Sequence, residues 1–108
     1  LEKFESRGLI KRPTIPENCE HNAHMFYILC HSNEFRGKLI KDLKDKGIQA
    51  VPHYIPLHSS PHGIASSRSN GSLVITDDIA YRILRLPLWI NMPINDVLNE
   101  IHSVLDKY

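Results

Sequence analysis

A segment near the middle of the chain most limits its fold, because it has the pattern of a strand, a helix and a second strand joined by short turns. His24–Cys30 is a continuous apolar and aromatic run, which is typical of a strand buried on both faces. Ser32 or Asn33 caps the helix that follows, and Gly47 ends it. Ile48–Tyr54 returns as the second strand. This order predicts two parallel strands connected by a right-handed crossover.

The segments on either side of this unit show weaker patterns. Leu1 and Phe4 share one face of a short predicted helix, and residues 8–22 follow as an extended linker. Residues 55–74 are rich in turn-forming residues, so we expect a long loop without secondary structure.

The last third of the chain predicts a helix, a strand and a helix. Thr76 is the expected cap of the first helix, and Arg82 and Arg85 fall near its end, where cations complement the helix dipole. Leu86–Ile90 is predicted as a short strand. Asn95 is the expected cap of the last helix, whose apolar residues recur at helical spacing.

The expected architecture is an α/β (α+β) domain in which helices pack against a three- or four-stranded sheet. Pro52 has no N–H to donate to a neighbouring strand, so its strand should lie at an edge, or its tip should leave the sheet. The length of 108 residues fits one domain.

Composition excludes several functional classes. The chain has 13 Lys and Arg against 12 Asp and Glu, a net charge of +1, which argues against a nucleic-acid partner. No stretch is apolar for long enough to be a transmembrane helix, so no membrane partner is expected. Cys19 and Cys30 are too few for a disulfide framework and indicate a reducing compartment, the cytoplasm.

The clearest candidate for a binding segment follows the second predicted strand. His53, Tyr54 and His58 leave its carboxyl end, where open α/β sheets bind ligands. Two imidazoles and a phenol can hydrogen-bond hydroxyl, carboxylate or phosphate oxygens. Alternatively, Tyr54 and Leu57 only anchor the loop and the histidines are solvated.

Other site types have less support. A metal site formed by His53, His58 and His62 would match no zinc spacing, and no carboxylate lies between these histidines, so no metal is predicted. The sequence contains no nucleophile elbow, dinucleotide fingerprint or Walker motif. From these residues alone, the chain is a ligand-contacting or interaction domain without a complete catalytic set.

Four segments together resemble the C-terminal domain of the DegT/StrS-type sugar-nucleotide aminotransferases. They are residues 22–28, residues 47–48, the His-Tyr-Ile-Pro-Leu-His run of residues 53–58, and the Leu-Arg-Leu-Pro-Leu run of residues 84–88. The likeness extends from about Pro13 to the end of the chain.

This resemblance implies a fold and a domain division. The fold would be that of the small C-terminal domain of a fold-type-I transferase that uses pyridoxal phosphate. Residues 1–22 would be a helical stub and linker from a large domain, and residues 23–108 would be the small domain. The cofactor lysine would lie in the large domain, so neither a catalytic residue nor bound pyridoxal phosphate is expected on this chain alone.

The resemblance also implies an activity. The parent enzyme would transfer an amino group from glutamate to a 4-keto-6-deoxy sugar nucleotide, a dTDP-sugar, in the synthesis of enterobacterial common antigen. It would be a cytoplasmic homodimer, and its small domain would close over the active site. A free-standing small-molecule-binding or regulatory module is the alternative.

By position, the resemblance assigns substrate contacts to three residues. His53 would be a polar contact near the cofactor and substrate, and Tyr54 and His58 would shape the sugar-nucleotide or glutamate pocket. Asn22 and His24 match the lead into the first strand without an assigned role. The loop from His62 to Leu73 is less similar to the family, and residues 59–74 have no assigned role.

Overall fold

The chain alternates short strands with helices along its length. A computed structural model describes residues 1–108. In chain order the elements are α1 (Glu2–Ser6), β1 (Ile10–Lys11), β2 (Phe26–Cys30), α2 (Asn33–Asp45), β3 (Val51–Pro52), a 3-10 turn (Leu57–Ser59), α3 (Pro61–Ser66), α4 (Val74–Arg82), β4 (Ile83–Leu86) and α5 (Ile94–Leu105). No helix is long and apolar enough to cross a membrane.

The four strands form one sheet in the order β1-β2-β4-β3, and each neighbouring pair is antiparallel. β2 and β3 therefore point the same way, but β4 lies between them. This shared direction agrees with the predicted parallel orientation, although the two strands are not neighbours, because β4 pairs with both of them. Pro52 is confined to an edge, as predicted, since it cannot donate to a further strand. The predicted α/β fold with a three- or four-stranded sheet is confirmed, with four strands.

Helix α2 forms where the sequence predicts it. The Ser32 hydroxyl accepts a hydrogen bond of 3.1 Å from the Phe35 N–H, which caps the helix. Leu39 and Leu43 are fully buried on its inner face. Gly47 follows with a φ of 76°, a left-handed conformation that glycine adopts without strain.

The core lies on one face of the sheet, against α1, α2 and α5. Its fully buried side chains include Phe4, Ile28, Cys30 and Leu84. The sequence predicts that β2 is buried on both faces, but Tyr27 and Leu29, which alternate with the buried Ile28 and Cys30, are only half-buried. The two faces differ because the large core cluster covers only one of them.

The first half of the chain requires three corrections. The predicted strand from His24 begins at Phe26, and the predicted strand Ile48–Tyr54 is reduced to Val51–Pro52. β1 lies within the expected linker, where Ile10 pairs with Cys30. Two isolated residues of a strand carry too little periodicity to be recognised in a Pro-rich segment.

The expected long loop contains α3. Ser60 caps this helix by accepting a 3.0 Å hydrogen bond from the Gly63 N–H, and Pro61 occupies the first turn. α4 begins at Val74 without a side-chain cap, so Thr76 lies inside the helix rather than at its start.

The end of α4 and the following strand also differ from the prediction. β4 starts at Ile83, so Arg85 belongs to a strand and not to a helix end. The strand Leu86–Ile90 is not formed beyond its first residue, since Pro87 lacks the N–H that a strand needs. α5 begins at Ile94 after Pro93, so Asn95 lies in its first turn.

Candidate ligand-binding site

His53 and Tyr54 follow β3 directly, where the chain leaves the edge of the sheet. Val51 pairs with Arg85, and the chain leaves the sheet directly after Pro52. The rings of His53 and Tyr54 lie 4.9 Å apart at 60°. His53 is half-buried, whereas 78% of Tyr54 is exposed. The two residues therefore form a ridge at the sheet edge.

A groove of about 590 Å³ runs along one side of this ridge, between His24, His53, Tyr54 and Arg85. The Arg85 guanidinium carbon lies 6.0 Å from the centre of the Tyr54 ring. Nδ1 of His24 lies 2.7 Å from the side-chain oxygen of Asn22, which orients this imidazole. No carboxylate lines the groove, so its polar groups favour an anion.

His53 carries an unsatisfied polar atom. Its Nδ1 is buried and has no hydrogen-bond partner in the chain. A buried polar atom without a partner costs free energy, so such atoms are rare in folded proteins. A ligand or another part of a longer protein could supply the missing partner.

His58 is directed elsewhere. Its Nε2 lies 2.9 Å from Oδ1 of Asp77 in the first turn of α4. His58 does not line the grooves beside His53 and Tyr54. The structure thus brings two of the three predicted residues together and places the third beside a carboxylate.

No group of three or more His, Cys, Asp or Glu side chains is arranged to hold a metal ion. The geometry therefore gives no support to a metal site formed by His53, His58 and His62. Cys30 is buried in the core, and burial raises the pKa of its thiol to about 11, although Arg36 and Arg82 act in the opposite direction. The thiol is therefore protonated near neutral pH and is a poor nucleophile.

Two apolar surfaces flank the site. On the other side of the ridge, Leu57, Ile75 and Ile79 border a second groove of about 590 Å³. Trp89 and Ile90 project from the segment after β4 and are 53% and 88% exposed. Exposed apolar groups on this scale are typical of surfaces that contact other protein or ligands.

Sequence reasoning missed two residues of this region. Asp77 has no local signal for its contact with His58, because 19 residues separate them. Arg85 belongs to the alternating pattern Ile83, Leu84, Arg85, Leu86, in which the two leucines face the core. That alternation is a strand signal, and it would have placed Arg85 on the outer face of the sheet.

The comparison with protein families decides the relationship of this chain to known proteins. The family model of the DegT/DnrJ/EryC1/StrS aminotransferases matches residues 1–105. The chain belongs to this family.

Two curated relatives are much longer than this chain. An uncharacterised protein of Methanocaldococcus jannaschii is 27% identical over 107 residues, which cover 95% of this chain and 28% of that protein. The dTDP-4-dehydro-2,3,6-trideoxy-D-glucose 4-aminotransferase of Saccharopolyspora spinosa is 28% identical over 101 residues, which cover 94% of this chain and 24% of that enzyme. The chain thus spans only a minor part of these relatives.

Solved aminotransferase structures share the fold. S. venezuelae DesV, in complex with a ketimine intermediate, matches with a TM-score of 0.77 and 26% identity over 98% of this chain and 29% of that one. Helicobacter pylori PseC, an aminotransferase involved in pseudoaminic acid biosynthesis, matches with a TM-score of 0.78 and 21% identity over 99% of this chain and 29% of that one. The likeness to PseC concerns the fold alone. These matches confirm the aminotransferase-type α/β fold.

Proposed function

We propose that residues 23–108 are the small C-terminal domain of a longer sugar aminotransferase that uses pyridoxal phosphate. Residues 1–22 lead into it from the large domain, and α1 and β1 within them pack on the core of the small domain. The observation that carries this proposal is the family match over residues 1–105, in a chain that spans only 28% and 24% of the two curated relatives described above.

The residues of this chain do not fit a complete cofactor site. Pyridoxal phosphate enzymes hold the cofactor through a lysine. No lysine lines the grooves beside His53 and Tyr54. The cofactor lysine therefore belongs to the large domain in this proposal, and the small domain contributes substrate contacts and excludes water.

Two exposed apolar surfaces support docking against another domain. Tyr54 and Leu57 on one surface are 78% and 84% exposed, and Trp89 and Ile90 lie on the other. Covering such side chains stabilises a domain interface through burial of apolar area. The buried Nδ1 of His53 would gain its missing partner from the substrate or the large domain.

The proposed substrate is dTDP-4-keto-6-deoxy-D-glucose, and the proposed amino donor is glutamate. The runs at residues 53–58 and 84–88 resemble dTDP-4-amino-4,6-dideoxygalactose transaminase, which acts in the synthesis of enterobacterial common antigen. The relative in Saccharopolyspora spinosa is also named for a dTDP-sugar. The parent would act in the cytoplasm as a homodimer. His53, Tyr54 and His58 are the proposed substrate-binding residues.

The test is an amino-transfer assay on the longer protein that contains these residues. With pyridoxal phosphate, glutamate and dTDP-4-keto-6-deoxy-D-glucose, we expect equal amounts of 2-oxoglutarate and an amino-sugar nucleotide. His53→Ala should lower kcat/KM about tenfold or more, as expected for one charge-assisted hydrogen bond. His62→Ala is the matched control, because His62 is exposed and does not line the site.

Each outcome bears on a separate part of the proposal. Absence of amino transfer to any 4-keto-6-deoxy sugar nucleotide would reject the function. Equal activity of His53→Ala and His62→Ala would reject the role of His53 only. The 108-residue chain alone should show no cofactor absorbance after incubation with pyridoxal phosphate. A stoichiometric aldimine on this chain would reject the proposed division of the active site.

A further inference from the structure

The outer face of the sheet carries an arginine at its centre. Leu84 and Leu86 of β4 are buried in the core, so Arg85 between them lies on the opposite face. It pairs with Tyr27 of β2 on one side and Val51 of β3 on the other. The backbone of Arg85 is thus fixed by two neighbouring strands.

Arg85 is the one partly buried arginine that has neither a hydrogen-bond partner nor an ion-pair partner. Four arginines bond carboxylates or backbone carbonyls within the chain: Arg7, Arg12, Arg36 and Arg82. Arg85 is half-buried but forms no hydrogen bond or ion pair, and Arg68 is unpaired but exposed. A cation that loses hydration without gaining a partner is costly, so the environment of Arg85 favours an incoming anion.

The groove around Arg85 offers further polar groups and no competing negative charge. His24, His53 and Gln49 line it together with Arg85, and no Asp or Glu does. The Tyr54 ring lies beside the guanidinium. A guanidinium presents a planar fork of donors that matches a phosphate or carboxylate in bidentate geometry. The groove therefore combines charge, donors and space for an oxyanion.

We propose that Arg85, with His24 and His53 beside it, binds an oxyanion of the substrate. This oxyanion is either a phosphate group in the diphosphate of the sugar nucleotide or a carboxylate of the amino donor. Binding of an oxyanion rests on the groove itself, whereas these two sources rest on the proposed function. Arg85 is then a binding residue in addition to His53 and Tyr54.

The experiment is a nuclear magnetic resonance titration of the 108-residue chain with dTDP and, separately, with glutamate. We expect one of these ligands to shift the side-chain Nε–H resonance of Arg85. Arg85→Gln should weaken that binding about tenfold or more, because a charge-assisted hydrogen bond is lost. Arg85→Lys should weaken it less, since charge remains but the fork is removed.

Arg68→Gln is the matched control, because it removes the same charge from an exposed arginine without a partner. It should leave the affinity unchanged. A response to dTDP alone would identify the diphosphate as the source, and a response to glutamate alone would identify the carboxylate. The proposal is overturned if neither ligand shifts the Arg85 resonance, or if Arg68→Gln weakens binding as much as Arg85→Gln.

Two further comparisons keep the result interpretable. Circular dichroism of each variant checks that the sheet is retained, and Arg85→Lys provides a second variant if Arg85→Gln is unfolded. Amino transfer by the longer protein without oxyanion binding at Arg85 would reject this inference and leave the proposed function standing. Arg85-dependent binding of an oxyanion in a longer protein without aminotransferase activity would support this inference and reject the proposed function.

Discussion

Nε2 of His58 lies 2.9 Å from Oδ1 of Asp77, and this contact joins the 3-10 turn to the first turn of α4. The His58 side chain is 17% exposed and that of Asp77 is 36% exposed, so the pair is partly shielded from water. The bond holds the segment after Tyr54 against α4. It therefore helps to set the course of the chain that leaves the candidate site.

Asp77→Ala should loosen this segment. We expect a decrease of up to about 1 kcal/mol in the free energy of unfolding, because the pair is only partly buried. The ring nitrogen signals of His58 should also change, as its fixed hydrogen bond is lost. Asp96→Ala is the control, since Asp96 lies in the first turn of α5 and has no side-chain partner. If both substitutions lower the free energy of unfolding equally, the effect of Asp77 comes from its charge at the start of a helix and not from its contact with His58.

Two glycines should respond to alanine with opposite signs. A Cβ at Gly63 would overlap the backbone carbonyl of Leu57, whereas a Cβ at Gly37 would meet no atom within 4 Å. Gly63→Ala should lower the free energy of unfolding by about 1–3 kcal/mol through overpacking. Gly37→Ala should raise it by about 0.5–1 kcal/mol, because alanine favours a helix interior. Urea unfolding measures both, and a stable Gly63→Ala variant would contradict the close approach.

Arg36 should contribute more to stability than a surface lysine on the same helix. Its guanidinium donates to the carbonyl oxygens of Ala80 at 2.9 Å and Ile83 at 3.4 Å, where α4 passes into β4. Arg36→Ala should cost about 1–3 kcal/mol of unfolding free energy. Lys38→Ala removes an exposed ion pair and should cost at most about 0.5 kcal/mol. Thermal or urea unfolding measures both variants, and similar losses of unfolding free energy in Arg36→Ala and Lys38→Ala would contradict this prediction.

Alkaline pH should destabilise the chain through Tyr108. Burial, followed by the hydrogen bond to Asp42, raises the pKa of Tyr108 from 10.0 to about 12. The folded state thus favours the neutral phenol, and this contribution is complete below pH 10 and is lost as pH rises toward 12. Tyr108→Phe should remove this part of the pH dependence of unfolding. Tyr54→Phe, which removes an exposed phenol, should retain it, and identical slopes for wild type and Tyr108→Phe would refute the assignment.

Local sequence signals were sufficient for some elements only. The cap at Ser32, the spacing of Leu39 and Leu43, and Gly47 define α2, because each acts within a few residues. The position of β4 between β2 and β3 depends on pairing between distant segments. Neither capping nor periodicity reports that pairing, so the sequence made no prediction of the order of the strands in the sheet.

The candidate site shows the same division. His53 and Tyr54 were predicted from their place after a strand, and the structure puts them together beside a groove. Their role in substrate binding stays a prediction. The contact of His58 with Asp77 depends on tertiary packing. The place of Arg85 on the outer face follows from a local strand alternation that was interpreted as the end of a helix. The resemblance to a family supplied a hypothesis about chemistry but not these contacts.

The central position of β4 has a consequence for synthesis on the ribosome. Translation delivers β2 and β3 first, and the strand that joins them arrives more than thirty residues after β3 begins. Until then, both strands expose unpaired backbone edges that can associate with other nascent chains. Completion of residues 83–86 is therefore the event that closes the sheet, and premature termination before it should yield an aggregation-prone product.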